Sequence, residues 1–281
     1  MGYLLVTSVI WAFSFGLIKR YLAGVDPSLV AFLRLAVSLL LFLPLLQLKK
    51  LTLSLATRLT LIGAIQYGVM YLAYIAAFRF LQGHEVALYT VFTPLFVVLV
   101  DDVYDRRLRL VGWLAASLAV VGTILVLYSG AGLGNFLAGF VLVQVSNLAF
   151  AFGQVAYARL GLDERGIRQS HVFGLLYLGG AVVAGLAVTL FSTWQVPKLD
   201  HSQWLSLFYL AVIASGIGFF LWNKGATLVK APVLAVFNNL KVPLAVVAAL
   251  LIFGEPGDPL RLLAGGLLIL LAFWIGIRAK T

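Results

Sequence analysis

The sequence predicts an all-α membrane protein in which ten transmembrane helices form two inverted repeats of five helices around a central cavity. The first observation is composition, since 63% of the 281 residues are hydrophobic, 11% are charged and the mean hydropathy is +1.07. A soluble domain carries roughly 25% charged residues, so most of this chain is expected to face lipid or other helices. The second observation is a succession of apolar runs, and the third is a resemblance between the two halves.

The predicted spans are apolar runs bounded by charged residues, glycine or proline. A helix needs about 20 such residues to cross a hydrocarbon core about 30 Å thick. Helices are expected because every backbone N–H and C=O in lipid must find its partner within its own segment. The loops are short, and none is long enough for a soluble domain. The ten predicted spans are residues 2–21, 27–47, 58–80, 86–102, 108–128, 136–158, 170–192, 203–223, 232–253 and 260–278.

The Lys and Arg residues in the loops and at the span ends are distributed unequally between the two sides of the membrane. Thirteen of them lie on the side that carries both termini, and five lie on the other side. Positively charged loops stay in the cytoplasm, so both termini are predicted to be cytoplasmic. The protein is therefore expected to be integral to a bacterial inner membrane, with membrane lipid as a partner.

The net charge of +10 does not predict a nucleic-acid partner. The basic residues form small clusters at span ends, such as 49–50 and 106–109, and leave no soluble basic face to line a duplex. The absence of cysteine excludes disulfides and cysteine metal sites. No phosphate-binding motif of the ATP-driven pumps occurs in the sequence. No metal and no cofactor are expected.

The chain contains an internal repeat. Residues 76–99 align with residues 225–248 after a shift of 149 positions, and a proline lies near the middle of both segments. Upstream, residues 12–16 align with residues 149–153. The order and spacing of these matches indicate a duplication of half the chain.

The repeat predicts an inverted arrangement of two halves, residues 1–133 and 134–281. Each half contains five spans, an odd number, so the second copy must cross the membrane in the opposite sense. Inverted repeats are typical of secondary transporters, in which the substrate binds near the midplane where the halves meet.

Several segments resemble the drug/metabolite transporter superfamily, in particular its ten-span EamA family. The matching segments are residues 11–16 (WAFSFG), 29–36 (LVAFLRLA), 253–256 (FGEP) and 265–270 (GGLLIL). The family usually has a Gly-Glu pair after both the fourth and the ninth span, whereas residues 104–106 here read YDR. The resemblance implies a secondary carrier of amino acids, other metabolites or drugs, with a central cavity between the halves.

Two cations are predicted to lie inside the membrane, whereas all ten Asp and Glu residues fall in loops or at span ends. Lys241 lies nine residues beyond Pro232, about 13 Å deep at 1.5 Å per residue. A charge near the midplane costs roughly 2.5–3.5 kcal/mol, so Lys241 is expected to hold the substrate's anion. The alternative is a bond to backbone carbonyls of a broken helix. Arg34 lies nearer the outer side, and a structural or gating role is favoured over direct contact with a carboxylate.

Polar side chains near these two cations complete the predicted site. Asn238 and Asn239 correspond in the repeat to Tyr89 and Thr90, and all four are expected to face inward. The alternative is hydrogen bonding between helices. The predicted substrate-binding residues are Lys241, Asn238, Tyr89, Thr90, Asn239, Trp11, Ser14, Tyr67, Tyr71 and Arg34, and the predicted gating or kink positions are Pro94 and Pro243.

Two groups of aromatic residues have different predicted roles. Tyr67, Tyr71 and Tyr74 share one helix face and either line the cavity or pack against a neighbouring helix. Trp204 and Trp222 are assigned to span ends and are expected to anchor the protein at the membrane interface.

These observations predict a secondary-active transporter, a monomer or homodimer, that exports a small anionic or zwitterionic metabolite such as an amino acid or organic acid. The alternative is a multidrug carrier for lipophilic cations, which is disfavoured because such a carrier needs a carboxylate inside the membrane. An enzyme is not predicted, because no nucleophile, base and orienting acid can be assembled from the spans.

Overall fold

The computed structural model of the protein describes residues 1–106, 133–229 and 231–255. These residues form helices and connecting turns, and they contain no strand. The predicted fifth and tenth spans, residues 108–128 and 260–278, lie outside the described residues. The described helices are α1 (Gly2–Leu22), α2 (Pro27–Leu45), α3 (Leu53–Ala77), α4 (Gly83–Tyr104), α5 (Leu133–Ala158), α6 (Gly174–Phe191), α7 (His201–Thr227) and α8 (Ala231–Val247).

Helices α1 to α7 are each long and apolar enough to cross a membrane. A π-helical turn, Ala248–Ile252, continues α8. Neighbouring helices pack in the order α1, α8, α4, α5, α3, α6, α2 and α7, and α7 returns to α1. This ring surrounds the central cavity, and it interleaves helices from the two halves of the chain.

The acidic residues at span ends stabilise the starts of the helices. Asp26 accepts hydrogen bonds from the backbone N–H groups of Ser28 and Leu29, and Pro27 occupies the first turn of α2. At the start of α4, the Glu85 carboxylate accepts the backbone N–H of Gln82 in a capping box. At the start of α7, the Asp200 carboxylate accepts the backbone N–H of Gln203 in the same motif. These carboxylates satisfy backbone N–H groups that have no partner within the helix.

Short π-helical segments end α1, at Ile18–Leu22, and interrupt α3 and α7, at Ala64–Val69 and Tyr209–Ile217. A π-helical turn widens the helix and redirects its backbone carbonyls, and such turns are frequent at functional sites. In α7 the carbonyls of Ser215 and Gly216 both accept a hydrogen bond from the Tyr177 hydroxyl, at 2.8 Å each. The wide segment of α7 is thereby tied to α6.

The two repeat-related prolines lie in different helical surroundings. In α4 a 3-10 turn, Thr90–Phe92, precedes Pro94, which occupies the first turn of the segment that continues the helix. A proline is tolerated in a first turn because its missing N–H would have had no helical partner there. Pro243 instead lies inside the continuous helix α8.

Helices α3 and α6 approach each other closely through glycines. A Cβ atom added at Gly63 would overlap the backbone carbonyl of Leu176, and one added at Gly179 would overlap the carbonyl of Thr60. Small residues allow helix backbones to come into direct contact, which is a common basis of packing in membranes. The contact fixes α6 against α3 beside the cavity.

The prediction that Trp222 anchors the membrane interface is wrong. Its side chain is fully buried, its ring centroid lies 4.9 Å from that of Trp11, and its indole N–H donates to Gln154 Oε1 at 3.3 Å. Helix α7 extends to Thr227 rather than ending at the predicted residue 223, so Trp222 lies more than one turn inside it. Trp204, near the start of α7, is exposed.

Candidate functional site

A cavity lies within the ring of helices, and the empty space in it, including the part open to solvent, is about 510 Å³. Every described helix except α6 contributes to its wall. The lining residues are Trp11, Ser14, Phe15, Arg34, Met70, Tyr71, Tyr74, Thr90, Thr93, Ser146, Asn147, Phe150, Phe219 and Lys241.

Lys241 places a buried cation at the cavity. Its residue is only 6% exposed, and its Nζ lies 5.2 Å from the ring centroid of Trp11, 5.4 Å from that of Phe150 and 6.0 Å from that of Trp222. Aromatic faces attract a cation but leave its charge uncompensated. Among residues 1–106, 133–229 and 231–255 no group forms a hydrogen bond or ion pair with Nζ. The site is therefore suited to receive an anion.

Arg34 is the second buried cation, and it is held by a hydrogen-bond network. It is 2% exposed, its Nε donates to Ser215 Oγ at 3.1 Å, and one terminal nitrogen donates to the Tyr71 hydroxyl at 2.7 Å. The guanidinium also stacks over the Tyr71 ring, 4.2 Å from its centroid. These contacts join α2, α3 and α7 beside the cavity, and the structural or gating role of Arg34 stays a prediction.

The wall formed by α4 and α5 is polar. The Asn147 amide nitrogen donates to the Tyr89 carbonyl at 2.9 Å, and Thr93 Oγ1 donates to Asn147 Oδ1 at 3.1 Å. Thr90 and Ser146 are also buried in this wall. The 3-10 turn in α4 exposes the Tyr89 carbonyl to Asn147, because a 3-10 turn does not repeat the α-helical hydrogen bonds.

Six of the predicted binding residues line the cavity, and they come from five helices of both halves. The six are Trp11, Ser14, Arg34, Tyr71, Thr90 and Lys241.

Three predicted binding residues lie outside the lining of the cavity. The Tyr67 ring stacks on that of Tyr177 at 5.3 Å between centroids, and the Asn238 amide donates to Gln154 Oε1 at 3.3 Å. The Tyr89 ring packs against Phe140. The side chain of Asn239 lies outside the described residues.

Thr93 and Ser146 were not predicted to belong to the site. Thr93 lies three residues after Thr90, so it shares a helix face with a predicted binding residue, and this spacing is a signal that could have identified it. No comparable signal marks Ser146, because its position in the wall depends on how α5 is rotated about its axis.

A buried polar layer lies between α3 and α7, toward the side that carries the N-terminus. Asn223 on α7 exchanges hydrogen bonds with the Gln66 amide, at 3.0 and 3.3 Å, and donates to the Tyr67 hydroxyl at 3.0 Å. All three residues are fully buried. Paired amides of this kind hold two helices in one relative position, because separating them would leave polar atoms unsatisfied.

At the opposite end of α1, four ionisable residues join the two halves; they are called the outer latch (Lys19, Arg20, His84 and Glu255). Glu255 Oε2 lies 2.8 Å from His84 Nδ1 and accepts the His84 backbone N–H at 3.0 Å. Arg20 donates to the carbonyl of Phe253 at 2.9 Å. Lys19 donates to two carbonyls at the end of α3. The latch connects the loop after α8 to the helices of the first half.

The outer latch predicts a stability change at low pH. Burial raises the pKa of Glu255, but hydrogen bonds from His84 and the charges of His84 and Lys19 outweigh it and lower the pKa below its ordinary value. Such a carboxylate stabilises the fold above its unfolded pKa of about 4.3, and this stabilisation is lost as the pH falls through the folded-state pKa. Below about pH 4, the melting temperature of the wild type is expected to decrease by about 2–4 °C more than that of Glu255→Gln.

Thermal unfolding followed by tryptophan fluorescence between pH 7 and pH 3 measures this difference. Glu164→Gln is the matched control, because Glu164 is exposed and lies in the loop after α5. Equal pH dependence of the wild type and Glu255→Gln would contradict the assigned role of Glu255.

Comparison with known proteins identifies the family. The chain matches the family described as EamA-like transporter family over residues 1–128 and again over residues 137–277. This match confirms the resemblance found in the sequence. A crystal structure of a protein shares the fold with a TM-score of 0.69 over 98% of this chain and 95% of that chain, at 19% identity. A likeness at this identity concerns the fold alone.

Relatives of known name cover nearly the whole chain. A protein named probable biotin transporter from Pseudomonas aeruginosa is 40% identical over 277 residues, which cover 98% of this chain and 96% of that protein. Proteins named biotin transporter from Salmonella typhimurium and Escherichia coli (strain K12) are each 38% identical, over 98% of this chain and 92% of each relative. The chain therefore belongs to the EamA-like transporter family, as an integral transporter of the bacterial inner membrane and not an enzyme.

Proposed function

We propose that this transporter carries a small carboxylate of the biotin class across the membrane by secondary-active transport. The observation that carries the proposal is Lys241, a buried cation at the cavity with no anionic partner in the described part of the chain. The names of the relatives supply the class of substrate. Biotin is a carboxylic acid that is ionised at neutral pH, and it replaces the amino acid or other organic acid expected from the sequence.

The cavity supplies the two kinds of contact that such a molecule needs. Lys241 would form an ion pair with the carboxylate, and a charge-assisted hydrogen bond of this kind is about twice as strong as a neutral one. Trp11, Phe150 and Phe219 offer apolar surface to the alkyl chain and ring. No Asp or Glu lines the cavity in the described residues, so the wall does not favour a lipophilic cation.

Ion pairing with the substrate also supports alternating access. An uncompensated buried charge is costly, and an anion bound to Lys241 removes that cost. A ligand shifts a conformational equilibrium only by the difference in its affinity for the two states. The substrate would therefore favour whichever states enclose it beside Lys241.

The proposed movement is a rearrangement of two inverted halves, residues 1–133 and 134–281, with both termini in the cytoplasm. Two successive matches to one family model, over residues 1–128 and 137–277, support this division. The amide layer around Asn223 and the outer latch close opposite ends of the bundle, as two alternating gates would.

Counterflow into proteoliposomes tests the proposed function without assuming a direction of transport. Vesicles containing the purified protein are loaded with unlabelled biotin, and uptake of labelled biotin is measured against protein-free vesicles. Unlabelled biotin added outside the vesicles is expected to compete with the uptake of labelled biotin. Neither a mixture of amino acids nor, in a separate assay, tetraphenylphosphonium is expected to do so. Exchange of amino acids or of the lipophilic cation in the absence of biotin exchange would contradict the proposal.

A further inference from the structure

We infer that the α4–α5 wall of the cavity is a second subsite, which binds the N–H groups of a neutral urea or amide in the transported molecule. The inference rests on the proposed function, because it concerns the part of the substrate that Lys241 does not hold. The subsite consists of Thr90 and Thr93 on α4 and Asn147 on α5, and all three are buried and line the cavity.

The two threonine hydroxyls in the wall already donate their hydrogens within the protein. Thr90 Oγ1 donates to the carbonyl of Ala87 at 2.7 Å, and Thr93 Oγ1 donates to the carbonyl of Thr90 at 2.7 Å. A hydroxyl carries one hydrogen and two acceptor lone pairs. Both oxygens are therefore left with acceptor capacity only.

The amide of Asn147 is held in one orientation, with its nitrogen directed away from Thr93. Its Nδ2 donates to the backbone carbonyl of Tyr89 at 2.9 Å and to Gln144 Oε1 at 3.1 Å, so both amide hydrogens have partners. A backbone carbonyl can only accept, and this contact distinguishes the nitrogen from the oxygen of the amide. Asn147 Oδ1 accepts a hydrogen bond from Thr93 Oγ1 at 3.1 Å, which shares its hydrogen between this oxygen and the Thr90 carbonyl, and it keeps a second lone pair as a third oxygen with acceptor capacity.

An acceptor wall and a cation discriminate between the two ends of a substrate. The ammonium of Lys241 has only hydrogen-bond donors, so it binds a carboxylate. The three oxygens have acceptor capacity, so they disfavour a carboxylate and favour N–H donors. The cyclic urea of biotin carries two N–H groups at the end remote from its carboxylate. A carboxylic acid without N–H groups would leave the remaining acceptor lone pairs of these buried oxygens without a donor, and unmet hydrogen-bonding capacity of this kind is a strong basis for rejecting a close analogue.

Competition in biotin counterflow tests the acceptor wall. Desthiobiotin keeps both the urea and the carboxylate, whereas lipoic acid keeps a carboxylate and a sulfur ring but has no N–H group. The wild type is expected to prefer desthiobiotin over lipoic acid by at least about tenfold in half-inhibitory concentration, the factor that one net hydrogen bond supplies. Thr93→Val removes one acceptor with little change in shape and is expected to reduce that preference by about tenfold, while Thr93→Ser retains it.

Equal competition by the two acids in the wild type would overturn the acceptor wall, and so would an unchanged preference in Thr93→Val. Thr90→Val is measured in parallel and is expected to reduce the preference in the same way, so that poor folding of one variant does not decide the result. Failure of the proposed function has a different signature, because the wild type would then show no biotin counterflow at all, and the inference would be overturned with it.

Discussion

Lys241→Gln is expected to reduce biotin counterflow by about 30-fold or more while leaving the protein folded. Removing one partner of a buried charge pair costs about 2–5 kcal/mol, and each 1.4 kcal/mol corresponds to about tenfold in affinity. Glutamine keeps a polar group of similar length but cannot neutralise a carboxylate. In the empty protein the same change removes a cation without an anionic partner in the described chain, so the melting temperature is not expected to fall.

Initial rates of counterflow and thermal unfolding, measured on the same preparations, separate these two effects. Lys224→Gln is the matched control, because Lys224 lies near the end of α7 outside the cavity, with its Nζ 5.1 Å from the Tyr3 ring centroid. The control is expected to transport biotin at the wild-type rate. Wild-type biotin counterflow in Lys241→Gln would contradict the role assigned to Lys241.

Gly63→Val is expected to prevent stable packing of α3 against α6. The first atom of any side chain at this position overlaps the carbonyl of Leu176, and a backbone atom cannot move aside as the end of a flexible side chain can. Overpacking in a filled interior typically costs about 1–3 kcal/mol, and overlap with backbone belongs at the upper end of that range. The melting temperature is expected to fall by about 6 °C or more, since about 2–4 °C corresponds to 1 kcal/mol.

Size-exclusion chromatography and thermal unfolding of the purified protein measure this effect. Gly24→Val is the matched control, because nothing lies within 4 Å of a Cβ atom added at Gly24. It is expected to unfold within about 2 °C of the wild type, as surface substitutions usually do. A monodisperse Gly63→Val protein with the wild-type melting temperature would contradict the close contact between α3 and α6.

The sequence was sufficient to predict the helices that the structure describes and the two buried cations. Backbone groups in lipid must be satisfied within a helix, so hydropathy locates the spans with little ambiguity. A charge inside a span is costly, which made Lys241 and Arg34 recognisable before their surroundings were known. The ends of each span were less certain. Helix α7 extends to Thr227, beyond its predicted end, and Trp222 therefore lies inside the helix and not at the membrane interface.

The remaining features depend on tertiary structure that hydropathy does not contain. His84 and Glu255 are 171 residues apart, so their contact could not be read from the sequence. Which face of a helix meets the cavity depends on the π-helical and 3-10 turns, which shift every residue beyond them around the helix axis. Asn147 and Thr93 are therefore recognised as neighbours only once α4 and α5 are placed together.

The central claim is that the cavity binds a biotin-class carboxylate through Lys241, and competition between biotin and its methyl ester tests it most directly. Binding of labelled biotin to the purified wild type is measured with each compound as competitor. The ester keeps the ring and the urea but has no negative charge. Biotin is expected to displace the label at concentrations about 30-fold lower or more than the ester. Equal displacement by the ester would contradict the claim, because binding would not depend on the carboxylate.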